Sequence, residues 1–479
     1  MTDEASYEIV VGLEVHAQLL TRTKLFCSDT TLSGAEPNTQ ISAISLGYPG
    51  TLPRLNREAI LLAVRLGLAT NCTIVRQNYF ARKNYFYPDL PKGYQISQHT
   101  TPICRAGFLE IQAGDTTRNI RINRIHMEED AGKSLHGENS GLSSLDYNRA
   151  GMPLLEIVTE PDMHSAEEAF AYVTTLRKLV RHLGVCDGNM EQGSLRCDVN
   201  ISVRLRGEEK LGTKVEIKNL NSIRFIKKAI EWERERLIDR HRKGLPIVQE
   251  TRGFDETDFT TYSIRVKEDE DDYRYFAEPD LPPFVVTEET IERVRSEMPP
   301  LPGETKKKLL EDYGLSEYDA EQVAGDMELT LLFFDLAALT NNYKAGANWI
   351  IGPIKNSFQN SEDEVSIEPV SIAHLIRLID EGRISHGTAV QKVFPALLQS
   401  PAMDVEGFIG EQQLFMQSDA GEIESWIDAA LEKHAQKINE YKKGKKGLIS
   451  LFVGEVMKRS GGQADARLVT QKLIEKLNN

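Results

Sequence analysis

Glu14 and His16 stand two residues apart in EIVVGLEVHAQL (8–19), where Leu13, Val15, Ala17 and Leu19 alternate with polar residues. Period-two alternation is the signature of a strand, and it puts Glu14, His16 and Gln18 on one face. A carboxylate and an imidazole so spaced can reach a single cation, although an ordinary polar strand edge has the same pattern. A second acidic group ends RINRIHMEEDAGK (121–133), in which Glu128, Glu129 and Asp130 follow His126. Ile120, Ile122, Ile125 and Met127 lead into it as a strand. Three adjacent carboxylates repel one another, so such a triplet either holds a cation or sits in solvent. Strand parity sets Glu129 with Ile125 and Met127, and Glu128 with His126. A third strand-borne carboxylate is Glu156, flanked by Leu155 and Ile157 in NRAGMPLLEIVTEPD (148–162).

Two further strands carry polar faces. Cys197 to Leu205 alternates, with Asp198, Asn200, Ser202 and Arg204 opposite an apolar side. Thr213 to Asn219 presents Lys214, Glu216 and Lys218 together, and RGEEKLG between the two reads as a hairpin loop. This is either a working face or the wet side of an antiparallel sheet. RKNYFYPDLPKGYQISQ (82–98) mixes Arg82, Lys83 and Lys92 with four aromatics, a composition that suits phosphates and unstacked bases or an aromatic loop on the core. The GKS at 132–134 is no phosphate-binding loop, because Met127 stands where that motif needs a glycine.

The elements that must position these residues are legible in outline. Asn56 to Ala69 is expected to be helical with Asn56 as N-cap and Ile60, Ala63, Val64 and Gly67 on one face. Ser165-x-x-Glu168 is a capping box opening a helix whose buried stripe is Phe170, Val173, Leu176, Val180 and Leu183, with Gly184 as its stop. A long charged helix covers 222–243. A loop-rich acidic stretch follows to 283, including KEDEDDYRYF. Past residue 290 the pattern is helical throughout, with LIRLIDEGRISHGTAVQKVF (375–394) turning at Gly382. The fold class is therefore α+β: a mixed, largely antiparallel sheet body over 1–290, an all-α domain over 291–408, and a small helical tail over 409–479.

The chain has 479 residues, 40% of them hydrophobic and 27% charged, as in a globular protein of several domains. No apolar run reaches the length of a membrane span, and the acidic start is unlike a signal peptide. Five cysteines make no CxxC pair, which fits a reduced, cytoplasmic chain without structural zinc. The net charge of -15 argues against indiscriminate nucleic-acid binding. Yet residues 431–479 hold eleven Lys or Arg against five Asp or Glu, and YKKGKKG (441–447) is a basic joint. Such a tail is either a polyanion-binding element or a solvated helix pair.

GLEVHAQL, YPGTLPRLN, RKNYFYPDLPKGYQISQ, HMEEDAGKS, NRAGMPLLEIVTEPD, GSLRCDVNISVR, TKVEIKNLNS and DYRYFAEPDLPP occur in the order found in the GatB family of tRNA-dependent amidotransferases, which this chain resembles. The C-terminal FVGEVMKRSGGQADARLVTQKLIEKL resembles the helical module of that family. The resemblance covers essentially the whole chain. It implies a glutamine-dependent carbon–nitrogen ligase in which ATP phosphorylates the side-chain carboxylate of Glu-tRNA(Gln) or Asp-tRNA(Asn), and ammonia displaces the phosphate. It also implies a heterotrimer, with an amidase (glutaminase) partner that makes the ammonia, a small third polypeptide, and tRNA held by the tail. No glycine- and serine-rich amidase stretch occurs in this chain, in keeping with a separate ammonia source.

In that setting Mg2+ and ATP are the expected cofactors. Glu14, His16, Glu129 and Glu156 are assigned the metal and catalytic roles, with Glu128 and Asp198 as outer candidates. The choice of Glu129 within the triplet leans on the resemblance. Lys83, Asp198, Asn200, Arg204, Lys214 and Lys218 are assigned to ATP or the acidic substrate, with Lys83 alternatively on the ammonia route. A non-catalytic scaffold that presents aminoacyl-tRNA is the alternative from another class, and a free-standing ATP-dependent ligase is a third.

Overall fold

The computed structural model describes residues 6–136, 142–266, 273–360, 366–416, 420–462 and 464–478. The acidic run at 267–272 lies outside the described residues. The chain divides into two compact units, residues 1–301 and 302–479.

The first unit is built on one large, mostly antiparallel sheet. Its main strands are β1 (Tyr7–Gln18), β2 (Ala81–Asn84), β3 (Tyr94–Ser97), β4 (Cys104–Ala113), β5 (Thr116–Glu129), β6 (Pro153–Thr159), β7 (Leu195–Leu205), β8 (Val215–Leu220), β9 (Glu250–Asp255), β10 (Thr260–Val266) and β11 (Phe276–Ala277), and the short Thr73–Ile74 strand pairs with β4. The order across the sheet is β10-β9-β8-β7-β1-β6-β5-β3-β2-β11, with β4 paired to β5. Only β8 and β9 run parallel among these pairs. Alternation fixes the two faces. Leu13, Val15, Leu155, Ile157, Val199 and Ile201 are buried in one apolar core with Tyr172, Val173, Leu176, Ile226 and Ile230. Those last five belong to α2 (Ala166–His182) and α3 (Ile223–Arg242). The helices therefore cover one face, and the polar residues are left on the other.

α1 (Arg57–Ala69) begins at Asn56, whose side chain accepts from the Glu58 N–H. Ser165 caps α2 by accepting from the Glu168 N–H, while the Glu168 carboxylate accepts from the His164 N–H. Phe170 is 41% exposed and does not join the α2 stripe. Ala169 and Tyr172 do, because Ala169 lies nearer the Val173–Leu176–Val180 line at 3.6 residues per turn. α4 (Glu288–Glu297), much of which the shift in composition assigns to the helical part, buries Ile291 and Val294 in the first core.

The second unit is helical and holds two separate apolar cores. One gathers residues from Leu309 to Leu414, including Trp349 and Phe333. The other gathers residues from Ile423 to Leu477. Ile409 and Leu414 belong to the earlier core, so the expected boundary at 408 falls inside it. Gly382 turns the chain at a φ of +68°, a conformation that favours glycine.

Candidate functional site

The polar face of the sheet is brought to a focus by strand register. His16 on β1 lies opposite Glu156 on β6, and Glu156 lies opposite His126 on β5. Two residues along β5, Glu128 points to the same side. His16 Nε2 is 3.4 Å from Glu156 Oε2 and 3.6 Å from Glu128 Oε1. His126 Nε2 is 3.4 Å from both Glu128 Oε2 and Glu156 Oε2. Three adjacent strands thus supply two imidazoles and two carboxylates to one small volume. Ligand atoms of His16, Glu128 and Glu156 all lie within 4.8 Å of one another.

The electrostatics show what this cluster demands. Burial by itself would lower both imidazole pKa values. The facing carboxylates outweigh it, raising His16 and bringing His126 up to about 9. Burial pushes the other way on the acids, yet His126 and His16 hold Glu128 low and Glu156 well below the usual carboxylate range. Two buried carboxylates this close need positive charge beside them. Protonated imidazoles would supply it, and a divalent cation would supply it equally well. Nitrogen and carboxylate oxygen donors facing one point suit magnesium or manganese. The donor set fits such an ion, and His126 lies within reach of both carboxylates beside it.

Not every expected residue converges here. Glu129 does not: the strand stays regular, so its side chain crosses to the other face. There it accepts from the Ile96 N–H at 2.9 Å and pairs with Lys92 in an enclosed pocket of about 70 Å3. Glu14 shares the His16 face but lies one register step away, accepting from Asn200 Nδ2 at 2.9 Å. Asp198 pairs with Lys218, which also reaches Glu216, so both lysine and acid are engaged within the β7–β8 pair. Arg204 is turned to Glu8 and the Glu209 carbonyl at the far end of β7. Lys214 is exposed beside a cavity over Gly12 and Asn200. Lys83 does approach: Glu128 and Glu156 raise its pKa against burial, and its ammonium lies 4.6 Å from the Tyr273 ring.

Two residues of the site escape the sequence reading. Parity pairs His126 with Glu128 but gives it no role. Arg196 begins the polar face of β7, lies opposite His16, and donates to Asp130 Oδ2 at 2.9 Å. The same alternation that selects Asp198 and Asn200 extends back to it.

Residues 9–292 match the GatB/GatE catalytic domain, and residues 331–477 match the GatB domain. The chain belongs to the GatB family. It is 46% identical to the GatB-type polypeptide of the aspartyl/glutamyl-tRNA(Asn/Gln) amidotransferase of Geobacter sp. (strain M21), over 98% of this chain and 99% of that protein. The counterpart from Thermodesulfovibrio yellowstonii is also 46% identical, with the same coverage. That of Trichlorobacter lovleyi is 47% identical over 98% and 99%. The His16–Glu128–Glu156 cluster falls within the GatB catalytic-domain match.

Proposed function

We propose that this chain carries the phosphorylation and amidation steps of a tRNA-dependent amidotransferase. A carboxylate at neutral pH has no acceptable leaving group. One oxygen of the tRNA-borne Glu or Asp side chain therefore attacks the γ-phosphorus of ATP, and ADP leaves. Ammonia then attacks the acyl carbon, and inorganic phosphate leaves with the former carboxylate oxygen. The observation that supports this reading is the largely buried His16–Glu128–Glu156 cluster with His126 beside it. Phosphoryl transfer needs charge neutralisation and positioning more than covalent help. His16, Glu128 and Glu156 would hold Mg2+, which when bound offsets the charge of the phosphates.

The chain's own residues supply the remainder. Lys83 faces the two carboxylates from β2 and is placed to meet phosphate charge, or to line the path by which ammonia arrives. Asn200 holds Glu14 in place beside the cluster. Two partner polypeptides, an amidase that releases ammonia from glutamine and a small third chain, complete the reaction in this proposal. The tail from about residue 409 grips the tRNA. A scaffold role is less favoured, because a scaffold gains nothing from two buried carboxylates that must be compensated.

The test uses the complex with ATP, Mg2+ and Glu-tRNA(Gln) or Asp-tRNA(Asn), following acyl-phosphate formation. His16→Ala is expected to lower it by at least a hundredfold, on the order of 3 kcal/mol of lost transition-state stabilisation. Wild-type rates in this variant would remove the site from the reaction.

A further inference from the structure

The outer edge of the sheet carries a strap that no step of the reaction uses. Ala81 stands opposite Ser97 and Ser97 opposite Glu128, so Lys83, two residues along β2 from Ala81, shares the face of Glu128. Arg82 and Asn84 alternate to the other face. All three residues meet one stretch of chain, residues 273–280. Arg82 donates to both carboxylate oxygens of the buried Glu278, at 2.8 and 2.9 Å, and to Asp280 at 3.0 Å. The Glu278 N–H donates to the Phe80 carbonyl at 2.8 Å. Asn84 donates from its N–H to the Tyr273 carbonyl at 3.0 Å and from its side chain to the Arg274 carbonyl at 2.9 Å. Between these anchors β11 pairs with β2, with Phe276 opposite Arg82 and Ala277 opposite Ala81.

The strap is strained at one residue. Arg274 is exposed and lies at a φ of +44°, a left-handed conformation that residues other than glycine avoid. Such strain persists only where the surroundings impose it, and here the anchors at Asn84 and Arg82 lie on either side. Next to it, the Tyr273 ring lies 4.6 Å from the Lys83 ammonium, and the Tyr85 ring lies 5.8 Å from it. Both fall inside the reach of about 6 Å over which a cation is drawn to an aromatic face. Tyr273 is itself held by neighbouring rings, meeting Tyr85 at 6.2 Å and Tyr275 at 6.0 Å, both edge to face. Tyr275 in turn stacks on His99 at 4.0 Å, within 3° of parallel. A lysine ammonium is a compact charge on a flexible stem, so a ring fixed against it confines where that charge can go. Confinement of a charge before the reaction begins is what positioning contributes to a rate.

We propose that Tyr273 is a positioning residue for acyl-phosphate formation, its ring face holding the Lys83 ammonium beside Glu128 and Glu156. Tyr273 touches no reacting atom and acts through Lys83. The anchored strap sets the place of the ring, and the left-handed turn at Arg274 is the conformation that brings it there. The proposal rests on the phosphorylation reading above, in which Lys83 meets phosphate charge.

The experiment uses the full chain with its partner polypeptides, ATP, Mg2+ and Glu-tRNA(Gln), and follows acyl-phosphate formation. Tyr273 is replaced by phenylalanine and by mono-, di- and trifluorinated phenylalanine, which nearly keep the shape of the ring and withdraw electron density from its face. From phenylalanine to the trifluorinated ring kcat is expected to fall stepwise, by about threefold in all, while KM for Glu-tRNA(Gln) stays within about twofold. Tyr273→Leu, which removes the face, is expected to lower kcat by about tenfold. A ring that only packs gives a flat fluorine series, and that result would overturn the proposal. The series keeps the ring, so it decides even where Tyr273→Leu fails to fold. In a Lys83→Met background Tyr273→Leu is expected to cost less than about twofold more, because the residue through which it acts is gone. A full further tenfold loss there would also overturn the proposal. A flat series beside a full loss in His16→Ala would remove the positioning role and leave the reaction reading intact. Wild-type rates in His16→Ala would remove both.

Discussion

At the scale of single residues, the choice between Glu128 and Glu129 turns on the pleat of one strand. β5 stays in register with β6 to its end, with Glu128 opposite Leu154 and Glu129 opposite Pro153. Side chains therefore alternate to the last position, and Glu128 is delivered to His16 and Glu156. Parity states this in the sequence; weighting the triplet by resemblance obscures it. What no local pattern can show is that β1, β5 and β6 become neighbours, which is long-range register. Glu128→Gln is expected to weaken Mn2+ binding, read by electron paramagnetic resonance, by at least tenfold, whereas Glu129→Gln leaves it within about threefold. Equal losses in the two variants would contradict the assignment. Cys27 offers a prediction in pH. Burial pushes its thiol up to about 11 from an ordinary 9.0, against a hydrogen bond from the Asp29 backbone that lowers it. Only the thiolate reacts, so at about pH 8 alkylation by iodoacetamide should run about 100-fold slower than at a free thiol. The rate should climb through about pH 9–11. The same sign holds for stability: Cys27 favours the fold below about pH 9, and that contribution fades as pH rises toward about 11. A plateau in the labelling rate by about pH 9 would show that the thiol is not so held.

At the scale of elements, the sequence is most readable where one local rule acts. Asn56 and Ser165 start helices as capping residues must, and the apolar alternation of β1, β6 and β7 lies toward the core. Legibility fails where tertiary contact decides. Phe170 sits just off the buried stripe of α2, and α4 is claimed by the first core despite its helical surroundings. Gly132 is a further case, since GKS has a structural explanation that no motif describes. Its N–H donates to the Asp89 carbonyl at 2.8 Å, and a Cβ there would lie 2.9 Å from that oxygen and 3.0 Å from the Asp146 carbonyl. Two backbone carbonyls cannot move aside like a flexible side chain. Gly132→Ala is therefore expected to destabilise the first unit by about 1–3 kcal/mol, as overpacking does. Thermal unfolding of the first unit checks this. A melting temperature equal to wild type would mean that the loop carrying Asp89 yields freely, and that the glycine is there for some other reason.

At the scale of the whole molecule, charge is divided in a way that composition alone leaves open. The chain carries -15 overall, and 431–479 is basic. Much of the tail's basicity is spent internally. Lys433 and Arg459 pair with Glu455, Lys437 and Lys445 with Glu440, Lys472 with Glu424, and Lys476 with Asp428. Those pairs brace the small helical core built on Ile423, Ile427, Phe452 and Leu473. Lys442, Lys443 and Lys446 remain exposed at the joint, with Lys446 lying 4.2 Å over the Tyr441 ring. A lysine not committed to an acid is free to displace counterions from a phosphate backbone, which makes binding salt-dependent. The proposed grip on tRNA should therefore reside in this joint and not in the count of basic residues. Replacing Lys442, Lys443 and Lys446 with alanine is expected to weaken tRNA binding by roughly tenfold near physiological salt. It should also make the slope of log K against log salt less negative by about two to three, at about 0.7–0.9 per lost phosphate contact. Replacing Lys472 and Lys476, which are held in ion pairs, should change the slope by less than about one. Filter binding across a salt series measures both. If the paired lysines prove as important as the joint, the tail binds through its net field, and the joint has no special place in recognition.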